Sequence, residues 1–130
     1  MSIFAQTDRP PIKPIEWVGS AHQDLRAMPD EVQHVFGYAL HQAQIEKHHA
    51  AAKRLKGDLR GLIEIVKDFD GNTYRAMYTA KLAGVIYVLH VFQKRSTHGV
   101  ATPKREIAVT IGRWQRAKAH YAAYYEGRNY

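Results

Sequence analysis

A chain of 130 residues with 45% hydrophobic side chains is long enough to bury one core and too short for two full domains. Its 19 Lys and Arg against 12 Asp and Glu leave a net charge of +7, which points to a polyanionic partner, most often nucleic acid. The absence of cysteine excludes disulfides, thiolate metal sites and a cysteine nucleophile, and the longest apolar run, Val85 to Phe92, is too short to span a bilayer.

Residues 1–11, with consecutive Pro10 and Pro11, read as an N-terminal arm ahead of a single domain over 12–130. The N-terminus lacks an apolar stretch of signal-peptide length, so a cytoplasmic protein without membrane association is expected. "IKPIEWVG" predicts a short strand, placed by Pro14 at a sheet edge or strand start. Ser20 is positioned to cap a short helix that stops before Pro29. Asp30 opens a second helix, in which Val32, Val35, Phe36, Ala39, Leu40 and Ala43 recur at three- and four-residue steps. "AAKRLKGDLRG" reads as a basic connection with two glycines.

The period then changes. "LIEIVKDF", "TYRAMYTAKL" and "VIYVLHVF" are rich in β-branched and aromatic residues, and Asp70-Gly71-Asn72 and Ala83-Gly84 separate them. These are the turn signals of an antiparallel meander. The third strand is apolar on both faces, with Val85, Tyr87, Leu89 and Val91 on one and Ile86, Val88 and Phe92 on the other, so it belongs inside the sheet. Thr102 and Pro103 predict a hydroxyl cap followed by proline at the first position of a last helix, with Ile107, Ile111, Trp114, Tyr121 and Tyr125 as its apolar stripe. The fold class is a small α+β domain.

From Lys94 to Lys118 the chain carries seven cations, Lys94, Arg95, Lys104, Arg105, Arg113, Arg116 and Lys118, against Glu106 alone. Lys104 and Arg105 fall in the first turn of the last helix, where the dipole disfavours cations but unpaired N–H groups bind anions. Two cations there suit a phosphate guest. Arg113, Arg116 and Lys118 read as a solvated helix face. Arg75, inside a strand between Tyr74 and Tyr78, could hold a phosphate bidentately or stabilise charge in phosphoryl transfer, and Glu64 could pair with it from a neighbouring strand. His34, His41 and His48 recur every seven residues, about 10.5 Å apart along a helix, too far for successive members to share one metal. His90 reads as a partly buried, satisfied histidine, and His98 in the basic loop as the histidine to test as a proton carrier.

The segments "LKG…GLIEI", "YRAMY" and "VLHVFQKRS…TPKREI" together resemble the phage-related RelE/HigB-type toxins of bacterial toxin–antitoxin modules, over roughly residues 14–125. The resemblance implies a small RelE-like domain with a curved antiparallel sheet, two N-terminal helices and a C-terminal helix. It implies an endonuclease cutting mRNA on the ribosome, without metal or cofactor. A cognate antitoxin, typically a helix-turn-helix protein, is the implied partner, with DNA reached only through it. By position, Arg75, Lys94 and Arg95 match the family's catalytic cations. Lys56, Lys67, His98, Lys104 and Arg105 are the expected RNA contacts. Relatives place a basic residue two positions after the strand glutamate, whereas here Glu64 is followed by Ile65 and Val66, and Lys67 comes one place late. Such a shift turns a side chain to the other sheet face. A non-catalytic nucleic-acid binder and a domain that docks an acidic protein share the same composition.

Overall fold

The computed structural model describes residues 12–94 and 102–126; the arm 1–11, Arg95 and His98 lie outside them. In chain order come β1 (Ile15–Trp17), α1 (Ala21–Arg26), α2 (Asp30–Gln44), β2 (Ala52–Arg54), a 3-10 turn (Gly57–Leu59), β3 (Ile63–Phe69), β4 (Asn72–Thr79), β5 (Ile86–Lys94) and α3 (Lys104–Tyr124). The strands form one sheet in the order β1-β5-β4-β3-β2. This is the α+β architecture expected of the sequence, with two N-terminal helices and one C-terminal helix.

The β3–β4 hairpin follows from its turn. Phe69 pairs with Asn72, and Asp70 (φ 51) and Gly71 (φ 79) both occupy the left-handed region, the two-residue geometry that matches strand twist. β2, β3, β4 and β5 pair antiparallel, but β1 runs parallel to β5, Ile15 against Ile86. The sheet is therefore mixed at one edge. The helices α1 and α2, which sit between β1 and the rest, return the chain without reversing the strand direction. Pro14 precedes the edge strand, where its carbonyl accepts from Ile86 N–H at 2.9 Å. The basic "AAKRLKG" segment hides β2, three residues paired with β3 at the opposite edge.

Two apolar layers flank the sheet. On one side Val32, Phe36, Ala39, Leu40 and Ala43 of α2 pack with Ile65, Ala76, Tyr78 and Val88; on the other, Trp114 and Ala117 of α3 pack with Leu62, Tyr87 and Leu89. β5 carries a bulge: Met77 pairs with His90 and Tyr78 with Val88, leaving Leu89 as the extra residue. The strict alternation expected of β5 fails there. Val91 joins Ile86 and Val88 in the α2-side core, while Leu89 and His90 both turn toward α3.

Both expected hydroxyl caps differ from the structure. Ser20 Oγ donates to Asp24 Oδ2 at 2.7 Å and caps no backbone N–H. Pro103 itself stands at the N-cap of α3, with its carbonyl accepting from Glu106 and Ile107 N–H, and makes no side-chain cap. No helix among the described residues is long and apolar enough to cross a membrane.

Candidate functional site

The register of β3, β4 and β5 decides which predicted residues meet. Arg75 lies opposite Val66 and Phe92, and Thr73 opposite Lys94. Cross-strand partners and alternate residues share a face. Arg75, Phe92 and Lys94 therefore look out on one side, the side of α3, with Glu64 diagonally across from Arg75. By strand geometry Arg75 and Lys94 are diagonal neighbours about 7–8 Å apart.

Arg75 Nη1 sits 2.8 Å from Glu64 Oε1. The same oxygen receives Lys53 Nζ at 3.4 Å from β2. Glu64 is almost wholly buried, Arg75 mostly so, and Lys53 exposed. One buried carboxylate thus holds two cations, and the pair fixes the guanidinium that a solvent-exposed strand arginine would leave mobile. The anticipated Glu64–Arg75 pair is present. Lys53, which the sequence reading passed over, joins it because β2 exists. Arg75 Nε is buried without a hydrogen-bond partner, an uncommon state for a strong donor. Lys94 is 7% exposed, and no carboxylate lies within ion-pair distance of it among the described residues.

His90 ties this face to the last helix. Arg113 can only donate, so its Nη1, 3.4 Å from His90 Nδ1, assigns that nitrogen as acceptor; Nε2–H then donates to Glu106 Oε1 at 3.0 Å. The bond anchors the first turn of α3, leaving Lys104 and Arg105 beside it and exposed. Arg113 is not the solvated cation expected. Its Nη1 also donates to the Leu89 carbonyl at 3.1 Å and its Nη2 to Ser20 Oγ at 3.1 Å, locking α3 to the β5 bulge and to α1. Gly19 (φ +58) gives it room, since a Cβ there would stand 2.8 Å from Arg113 Nε.

Burial holds the His90 imidazole below its ordinary value, against the opposing pull of Glu106. A depressed histidine pKa means that the unfolded chain binds the proton more readily. The stability His90 contributes is full above its unfolded value of about 6.5 and is lost as pH falls through the folded one. Thermal unfolding followed from pH 7.5 downward should show this loss, and His90→Asn should flatten it.

The remaining predicted contacts disperse. Lys67 points to the α2 side, 3.2 Å from Glu31 Oε2, and does not join the Arg75 face; the one-residue shift has the consequence strand geometry requires. Lys56 is exposed ahead of the 3-10 turn, by the Leu62 end of β3, roughly 20 Å along the strand from the Lys94 end. Among the described residues no group of three His, Cys, Asp or Glu could hold a metal ion.

These features define a small basic α+β domain with a buried arginine–glutamate pair on one sheet face. The chain belongs to the family described as Phage derived protein Gp49-like (DUF891), whose model matches residues 23–115, a toxin–antitoxin family of the RelE/HigB-like type. Among solved structures it is similar to the toxin–antitoxin complex RelBE2 from Mycobacterium tuberculosis, at 19% identity over 68% of this chain and 99% of that one, with a TM-score of 0.46. No curated protein matches it significantly.

Proposed function

We propose that the protein is the toxin of a type II toxin–antitoxin pair, an endonuclease that cuts mRNA on the ribosome and is held inactive by a cognate antitoxin. Family membership supports the toxin role. The observation that carries the nuclease reading is Arg75, oriented by buried Glu64 on the face it shares with Lys94.

RNA supplies its own nucleophile: the 2′-hydroxyl attacks the adjacent phosphorus, the P–O5′ bond breaks, and a cyclic phosphate forms. The protein has to align that attack and stabilise the negative charge of the phosphorane. Arg75 and Lys94, diagonal neighbours on one sheet face, would be the cations that meet the scissile phosphate. The partnerless Nε leaves one donor of the Arg75 guanidinium unspent. Arg95 and His98 follow Lys94 in the chain and complete the proposal as phosphate contact and proton carrier. Lys104, Arg105 and Lys56 serve as RNA backbone contacts, and a helix-turn-helix antitoxin would be the link to DNA.

Induction of the protein alone in a bacterium should arrest growth and produce new mRNA ends that require ribosomes. Normal growth with intact messages at confirmed expression would refute the nuclease reading. Lys67→Ala and Lys104→Ala separate the two basic surfaces. The Lys104 variant should weaken RNA binding and reduce the salt slope by about one, whereas the Lys67 variant, breaking only a partly exposed pair worth about 0–1 kcal/mol, should leave both unchanged. Filter binding at several salt concentrations reads both.

A further inference from the structure

At the end of the sheet away from Lys94, an open groove of about 380 Å³ runs between the exit of β2, the loop after the 3-10 turn and the end of β4. From the Arg54–Ile63 pair to the Asp68–Thr73–Lys94 row is five residues of β3, roughly 17 Å. Its floor is aliphatic: Leu55, Leu62 and Ile63. Three exposed cations, Arg54, Arg60 and Lys81, stand around it, and none makes an ion pair among the described residues.

The groove is built rather than incidental. Thr79, fully buried, donates to the Gly61 carbonyl at 3.0 Å and accepts from Lys81 N–H at 3.1 Å, so one hydroxyl joins its two walls. Gly61 (φ +97) lets the Lys81 stem lie across the rim; a Cβ there would stand 3.1 Å from Lys81 Cδ. Cations around a greasy floor need a ligand with both characters. Single-stranded RNA is gripped by cations together with aromatic rings on which bases stack, and no aromatic side chain lines this groove. Phosphates alone have no use for Leu55 and Ile63.

We propose that this groove docks an extended acidic segment of a protein partner, one apolar side chain resting on the aliphatic floor and its carboxylates meeting Arg54, Arg60 and Lys81. The proposal rests on the toxin reading only in identifying that partner as the antitoxin. Docking here would leave the Arg75 face to be blocked by the rest of the antitoxin.

The test uses the full chain and fluorescence anisotropy with three labelled probes: a peptide alternating glutamate and leucine, its glutamate–serine counterpart, and a uridine oligonucleotide. The glutamate–leucine peptide should bind more tightly than the serine version. Arg54→Glu with Arg60→Glu should weaken it by at least about tenfold while oligonucleotide affinity holds. Both side chains are exposed, so the unfolding temperature should hold as well, and Arg60→Glu alone gives the same reading if the double variant is unstable. The proposal is overturned if neither peptide binds, if the serine peptide binds equally well, if the charge reversals leave peptide affinity unchanged, or if they remove oligonucleotide binding instead, which would make the groove a phosphate track. Peptide binding is read without cleavage, so a chain that binds the peptide but cuts no RNA keeps the groove and loses the nuclease, and the converse result does the reverse.

Discussion

Arg75→Ala is expected to lower mRNA cleavage by about 100-fold or more while ribosome binding stays near normal, because it removes charge stabilisation made mainly in the transition state. The same substitution also carries a folding penalty. Glu64, 3% exposed in the parent, would be left with only Lys53 at 3.4 Å, itself 63% exposed, to balance it. Breaking a wholly buried pair by removing one member costs about 3–5 kcal/mol. Arg75 is partly exposed and Lys53 persists, so roughly 2–3 kcal/mol is the better figure, a fall in unfolding temperature of about 10 °C. Loss of activity in the single variant could therefore be loss of fold. The double variant Glu64→Leu with Arg75→Met resolves this. It removes both charges and keeps the volume, a change that is often neutral for stability. Its unfolding temperature should return close to the parent value, and its cleavage should not return. A stable double variant that cleaves at the parent rate would sink the catalytic role of Arg75.

What could be read from the sequence was local. The Asp70-Gly71 turn needs only its own φ angles, and the α2 stripe only its own period, so both were legible. The Glu64–Arg75 pair was legible because a hairpin turn fixes register between adjacent strands. β2 was not. Its three residues carry no strand pattern, and they are extended because β3 offers a partner; with β2 unseen, Lys53 had no address on the sheet. The parallel pairing of β1 depends on two intervening helices, again a matter of the whole fold. The bulge at Leu89 breaks an alternation that the sequence states without interruption, and it turns His90 toward Glu106. Arg113 looked like any exposed helix cation. The groups that bind it are the Leu89 carbonyl, released by that bulge, and Ser20, ninety-three positions away. Lys67 shows the other direction of inference: a count of one residue along a strand placed it on the far face, where it meets Glu31.

Lys94→Met should make the protein more stable and a worse nuclease. A lysine that is 7% exposed with no carboxylate within ion-pair distance among the described residues is a less favourable choice on folding grounds than an apolar side chain of the same length, since its buried stem has to be held so that the ammonium keeps its reach to the surface. Methionine keeps an unbranched stem of nearly the same length at this largely buried position, so the burial of the stem survives without a charge to carry to the surface. A gain of about 1 kcal/mol is expected, seen as a rise of several degrees in unfolding temperature. The charge is retained because a phosphate answers it: with Arg75 as its diagonal neighbour on the same face, Lys94 would complete the cationic frame around the scissile group. Cleavage in the methionine variant should fall by about 100-fold, with kcat reduced more than substrate affinity, whereas replacing a structural lysine would lower stability and leave the kcat of the folded protein unchanged. Lys94→Arg separates charge from shape. If charge at this position is what matters, arginine should restore part of the cleavage that methionine lost and none of the added stability. A methionine variant that is less stable than the parent and cleaves at the parent rate would show that Lys94 serves the fold, and the search for a second phosphate contact would pass to Arg95.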